Sequence, residues 1–193
     1  MRMKLGIPVQ AFVILSTGEL NDNKNHKTVI EAVKELNDTD IYYIICGQGR
    51  NQSVYEMLLQ ENHLEEHVKM MGYQPDVRPF LACADIFAFP SHREGLGMAA
   101  LEAMSAGLPL LTSRAGGIKD YSVNGVNGYS VSDADDVHAF ANAIRRLKKS
   151  KQNLYNMSKR NETAAFNFRI AKVNYIMKNL YGDCFCRISK GTK

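Results

Sequence analysis

"DIFAFPSHREGLGMAALEAMSAGLPLLTS", residues 85–113, decides the fold. It opens on a short apolar run, crosses a loop holding Gly95 and Gly97, continues as an alanine-rich helical stretch over about 97–106, and closes on the run "PLLTS". This reads as strand, loop, helix, strand. Neither apolar run alternates with polar residues as a half-exposed strand does, so both are expected to be covered on two faces.

The same grammar extends to either side. Upstream, "AFVILSTG" is a buried strand over 11–15, followed by "NHKTVIEAVKEL", in which Val29, Ile30, Val33 and Leu36 recur at helical spacing. "IYYIICGQG" repeats the strand-to-glycine pattern, "SVYEMLLQENHL" supplies the next helix, and "HVKMMGY" a third strand. "PDVRPFLACA" is a short helix before the opening stretch, and "NGYSV" a sixth strand after it. Buried strands separated by helices predict an α/β fold with a doubly wound, Rossmann-like parallel sheet. Two helical stretches without an intervening strand, 134–149 and 151–180, are expected to close it. A single domain over 1–182 and a tail over 183–193 follow.

Composition narrows the function. The 193 residues are 45% hydrophobic, which suits a packed globular core, and the formal net charge of +4 is too mild and too scattered for a nucleic-acid-binding stripe. Cys46, Cys83, Cys184 and Cys186 show no C-x-x-C spacing and read as reduced thiols of a cytoplasmic protein, the last two lying in the tail. No apolar run approaches the roughly 18 residues of a membrane span. Pro8 and Gln10 break up the amino-terminal run, leaving it too short for a signal-peptide core. The acidic cluster "SDADD" is read as a helix start, with Ser132 as cap and Asp133, Asp135 and Asp136 at the positive end of the dipole, in preference to a metal site.

In open α/β sheets, ligands bind outside the carboxyl ends of the strands. Gly18, Gly47, Gly49, Gly72, Gly95 and Gly116 all fall at or near such ends. In the opening stretch, Gly97 starts a helix whose first amides, at Gly97, Met98 and Ala99, lack intrahelical acceptors and attract phosphate. Glu102 lies roughly 7 Å further along the axis, too far in to cap. Beside a diphosphate a carboxylate suits hydroxyl partners, a ribose diol for Glu102 and a second sugar for Glu94.

Glu94 and Glu102, eight positions apart, resemble the E-x7-E motif of retaining glycosyltransferases of family 4, with the GT-B architecture. The likeness covers nearly the whole chain: "STGELNDNKNHKTVIEAVKEL" is similar to that family's first strand and phosphate-contacting lysine, "ICGQG" to its G-x-G turn, "MMGYQPDVRPFLACADIFAFPS" to its base-binding segment, and "AGGIKDYSVNGVNGYSV" to its later loop. The resemblance implies the donor-binding half of a hexosyltransferase that uses a nucleoside-diphosphate sugar, acts on a glycan or lipid-linked acceptor and serves polysaccharide synthesis. It implies that Gly18 and Lys24 meet the diphosphate, that the amides of Gly97, Met98 and Ala99 hold its distal phosphate, that Glu102 binds ribose and that Glu94 orients the donor sugar. Lys24 and Glu94 are then the catalytic pair, with Lys24 offsetting leaving-group charge and no metal or other cofactor required. Tyr73 either flanks the base or packs as a core aromatic. His92 and Arg93 receive no role.

Two departures stand out. Where many relatives carry arginine beside the glycine that ends the first strand, this chain has Glu19, which cannot help to hold a diphosphate. The chain also begins at "LGIPVQAF", which resembles the connection into the second GT-B domain, so the amino-terminal acceptor domain is expected to be absent or to be a partner subunit. In that case Phe166, Phe168, Ile170, Val173, Ile176 and Leu180 have little to cover them, and self-association through the last helix is expected. The full-length setting is expected to be cytoplasmic, peripheral to the inner membrane face. A nucleotide-sugar-binding module without turnover would need the same pocket. A dinucleotide-dependent oxidoreductase is disfavoured, since neither "GELNDNKN" nor "GQGRNQS" carries G-x-G-x-x-G.

Overall fold

The computed structural model describes the backbone of residues 1–190 and the side chains of residues 1–181. Strands β1 (Phe12–Thr17), β2 (Ile41–Cys46), β3 (Val68–Met70), β4 (Ile86–Phe89), β5 (Leu110–Ser113) and β6 (Gly128–Val131) form one parallel sheet in the order β3-β2-β1-β4-β5-β6. The order reverses between β1 and β4, and the switch point opens there. Helices α1 (His26–Leu36), α2 (Gln52–Glu61), α3 (Arg78–Leu81), α4 (Met98–Ser105), α5 (Val137–Lys149), α6 (Lys151–Ala165) and α7 (Ile170–Lys190) make up the rest, with short 3-10 turns at Arg2–Leu5, Gly116–Asp120 and Phe166–Phe168.

The absence of polar alternation in the strands has a direct structural cause. Phe12 and Ile14 of β1, Ile41, Tyr43 and Ile45 of β2, and Ile86 and Ala88 of β4 enter one core with α1, α2 and α5. Their neighbours Val13, Leu15, Ile44, Phe87 and Phe89 enter a second core with α3 and α4. With each large apolar side chain contributing roughly 1.5–3 kcal/mol on burial, both faces of the sheet bind their helices tightly. Asn161 of α6, fully buried, donates to the carbonyls of Leu108 and Asn127 at 2.8 Å and so ties that helix to the entries of β5 and β6.

The carboxyl-terminal part departs from the expected pattern. The stretch read as one helix over 151–180 is broken by the 3-10 turn at Phe166–Phe168, where Phe168 packs edge-on against Tyr121 at 5.7 Å. Helix α7 then runs through the boundary expected at 182. Phe166, Ile170, Val173, Ile176 and Leu180 are exposed. Helix α5 begins one turn later than expected: Asp136, not Ser132, caps it, accepting from the Ala139 amide at 2.8 Å. A carboxylate there serves both as cap and as partner for the helix dipole. Cys46 and Cys83 are free and buried, and burial pushes the Cys46 thiol up to about 12; the side chains of Cys184 and Cys186 lie outside the described residues. Among the described residues no helix is long and apolar enough to cross a membrane.

Candidate functional site

Three loops meet at the switch point. The loop after β1 carries Gly18 to Asn25, the loop after β4 carries Ser91 to Gly97, and the segment after β6 carries Asp133 to Asp136. Asn23 clamps the first two: its amide donates to the Arg93 carbonyl at 3.0 Å, and its side-chain oxygen accepts from the Arg93 amide at 3.1 Å. The His92 amide donates to the Asn23 carbonyl at 2.8 Å. Buried Asn25 donates to the Ala134 carbonyl and to Asp135 at 2.9 and 3.0 Å, and the ring of His92 bridges the Asp22 carbonyl and Asp135, each at 2.9 Å. His92 and Asp135 are thus rim fasteners.

On this rim Lys24 and Glu94, the two residues to which the resemblance gives catalytic roles, form an ion pair. Their side chains are 23% and 11% exposed, which shields the pair from most solvent screening. The Lys24 ammonium also lies 4.9 Å from the centre of the Phe89 ring, and its methylene stem runs over Gly18. Two groups of opposite charge are thus held at the one point where the sheet opens.

Helix α4 points its start at the same loop. Gly97 is its N-cap with φ 71°, a left-handed conformation that glycine adopts at little cost, and no side chain caps the helix. The Gly97 carbonyl accepts from Ala100 and Leu101, and among the described residues the amides of Gly97, Met98 and Ala99 have no acceptor. Gly116 closes the back of the loop: a Cβ there would sit 1.9 Å from the Glu94 carbonyl oxygen, so only glycine permits this approach. Glu102 stands exposed on α4.

Gly18 and Tyr73 meet in a second feature, a cleft of about 290 Å³ at the ends of β1, β2 and β3, lined also by Glu19, Gly47, Gln48 and Val77. Tyr73 is 68% exposed at its mouth, so it is a rim aromatic and not core packing. Glu19 accepts from the Asn21 side chain at 2.9 Å and faces the cleft. Among the described residues no group of three or more His, Cys, Asp or Glu side chains is placed to hold a metal.

Sequence reasoning missed His26 beneath this site. It is 2% exposed, and its Nδ1 lies 3.3 Å from the Tyr43 hydroxyl, which donates to Ser16, which donates to the Ala88 carbonyl. The chain of contacts ties α1, β2, β1 and β4 together under the loop of Lys24. Burial holds the imidazole neutral, its pKa pushed down from 6.5 to about 4. The unfolded chain therefore takes up a proton that the folded chain refuses as pH falls from about 6.5 to about 4, and stability is lost in that window. The loss from this group is expected to reach about 2 kcal/mol at pH 5. Chemical denaturation at pH 7.5 and 5 checks it: the His26→Asn variant should show a flatter pH dependence, and an unchanged dependence would refute the assignment.

The chain is 34% identical over 146 residues to the lipopolysaccharide core biosynthesis glycosyltransferase LpsE of Rhizobium meliloti, covering 76% of this chain and 42% of that protein. It is 31% identical over 186 residues to a UDP-Gal:alpha-D-GlcNAc-diphosphoundecaprenol alpha-1,3-galactosyltransferase of Escherichia coli, covering 93% of this chain and 47% of that protein. The chain spans about half the length of the curated relatives it matches. Among solved structures, Anabaena Alr3699/HepE in complex with UDP superposes with a TM-score of 0.85 at 23% identity, over 94% of this chain and 51% of that one, a likeness of fold. Over residues 1–164 the sequence matches the family described as glycosyl transferases group 1, and the chain belongs to that family.

Proposed function

We propose that this chain is the donor-binding, carboxyl-terminal half of a retaining family 4 glycosyltransferase, which moves a hexose from a nucleoside-diphosphate sugar to a glycan or lipid-linked acceptor in polysaccharide synthesis. The observation that carries the reading is the Lys24–Glu94 pair at the switch point, flanked by the uncapped start of α4 on one side and the Tyr73 cleft on the other. In this reading the base enters the cleft and the diphosphate lies against the free amides and Lys24. Glu102 accepts from the ribose diol, and Glu94 turns to the hexose hydroxyls.

Binding the donor then exchanges partners: phosphate replaces Glu94 at Lys24, and sugar hydroxyls replace Lys24 at Glu94. As the glycosidic bond breaks, Lys24 and the helix start stabilise the charge growing on the leaving diphosphate. Retention follows if the acceptor hydroxyl attacks from the face that the diphosphate leaves, with the diphosphate taking its proton. Cationic and amide donors together make a metal unnecessary for holding the diphosphate. We propose a cytoplasmic setting, peripheral to the inner membrane face in the full-length enzyme, since buried thiols such as Cys46 and Cys83 suit a reducing compartment.

Because the Alr3699/HepE structure is a complex with UDP and the Escherichia coli relative is named for UDP-Gal, UDP is the probe of choice. Calorimetry should detect UDP binding in the presence of a chelator, and Glu102→Ala should weaken it by roughly 1–3 kcal/mol, as for hydrogen bonds to a charged group. Binding that disappears in chelator and returns with magnesium would overturn the metal-free reading.

A further inference from the structure

A third feature sits on the same carboxyl edge of the sheet. Between the end of β5, the turn at Gly116–Asp120 and Ser130 of β6 lies a pocket of about 250 Å³ bordered by Ser113, Arg114, Lys119, Ser122, Asn124 and Ser130. No acidic side chain lines it. Arg114 and Lys119 are both exposed, and among the described residues neither side chain forms an ion pair or a hydrogen bond. Lys24 in the neighbouring site, by contrast, is paired with Glu94. Beneath the two cations, the hydroxyls of Thr112, Ser122 and Ser130 contact one another at 2.9 to 3.5 Å. Cations without counter-ions over a floor of hydroxyls form an anion site, and the volume suits a headgroup better than a whole nucleotide.

Its place along the sheet gives it meaning. From β3 to β6 the edge presents the Tyr73 cleft, then the Lys24–Glu94 pair, then this pocket. The last two share a wall, because the Gly117 amide donates to the Glu94 carbonyl at 3.2 Å and the Ser113 hydroxyl donates to the Ser91 carbonyl. A donor that fills the first two positions leaves the third next to its sugar.

The geometry points to a phosphate-ester site at Arg114 and Lys119, which holds a phosphate of the acceptor beside the donor hexose. This rests on the donor-binding reading for its role, though the anion site stands on its own residues. Arg114 takes two phosphate oxygens through its planar fork, Lys119 supplies a point charge, and Ser130 and Asn124 donate from the side.

The test keeps the two readings apart. Wild-type chain and the double variant Arg114→Gln, Lys119→Gln are saturated with UDP and titrated with inorganic pyrophosphate, UDP having closed the donor site to the probe. Both positions are exposed, so thermal melting should show the variant folded. The expected result is pyrophosphate binding to the wild type that falls at least about tenfold in the double variant, with UDP affinity changed less than about twofold. Pyrophosphate binding that is absent, or equal in the two proteins, overturns the proposal. Should UDP itself fail to bind, the donor reading fails, and the same titration without UDP still decides the pocket by the effect of the double variant. Glucose 1-phosphate and vesicles containing phosphatidic acid then serve as separate arms, for a soluble and a lipid-borne ester. Binding in either arm that is lost in the double variant supports the site and names the source; binding of pyrophosphate with neither ester overturns the ester assignment.

Discussion

Sugar transfer by the 193-residue chain alone is expected to be undetectable, even where it binds the donor well. The Lys24–Glu94 pair, the start of α4 and the Tyr73 cleft all belong to one sheet edge, and among the described residues no second surface faces them. Front-face attack requires an acceptor hydroxyl fixed within bonding reach of the anomeric carbon. Holding two reactants in such a geometry accounts for roughly 7–11 kcal/mol of a barrier. An isolated phosphate pocket anchors one end of an acceptor and does not aim its hydroxyl. Slow hydrolysis of the donor is expected to survive, since water needs no docking surface. A product assay with labelled donor, run with and without an added amino-terminal domain from a full-length relative, measures this directly. Efficient transfer by the chain alone would mean that the acceptor is positioned by this domain or by a second copy of it.

The second large effect concerns the ion pair. On the proposed reading, Lys24→Ala removes the cation nearest the diphosphate and leaves Glu94, 11% exposed, as an unpaired negative charge. UDP affinity should fall by about 2–4 kcal/mol, as when one partner of a desolvated charge pair is truncated. Glu94→Gln should act in the opposite sense on UDP, because it frees Lys24 and removes repulsion, leaving affinity equal or modestly higher. The same variant should weaken a UDP-sugar, whose hydroxyls lose their charged acceptor, by roughly 1–3 kcal/mol. Parallel titrations of UDP and UDP-glucose against the two variants test the exchange of partners. Equal losses of UDP in both would show that the two side chains act as one phosphate-binding unit, contrary to the proposal.

Much of this architecture was legible because the strands feed two cores at once. The runs over 12–15 and Ile86–Phe89 lack polar positions for a reason visible in the packing, and the strand ends then fixed where Lys24, Glu94 and Gly97 would lie. What local patterns do not encode is the pairing between loops. Asn23 and Arg93 are 70 positions apart, and Asn25 and Asp135 are 110 apart, so nothing in their spacing announces a bond. The asparagines of "NDNKN" read simply as loop residues, and their number was the one available signal. Nothing in the local pattern singles out His26, since its burial comes from Tyr43 and Tyr55 on other elements. The break at Phe166–Phe168 escaped notice because its cause, the packing of Phe168 on Tyr121, is tertiary.

The Asn23 clamp and the Asn25–Asp135–His92 contacts have a consequence for the entropy of binding. A flexible loop that wraps a ligand loses about 1–2 kcal/mol of backbone freedom per residue at the moment of capture. Here that freedom is lost once, during folding, when three distant segments of chain are fastened to one another. On the proposed reading, a donor therefore meets walls already in position, and the interaction energy of its phosphates and hydroxyls is not consumed in ordering the protein.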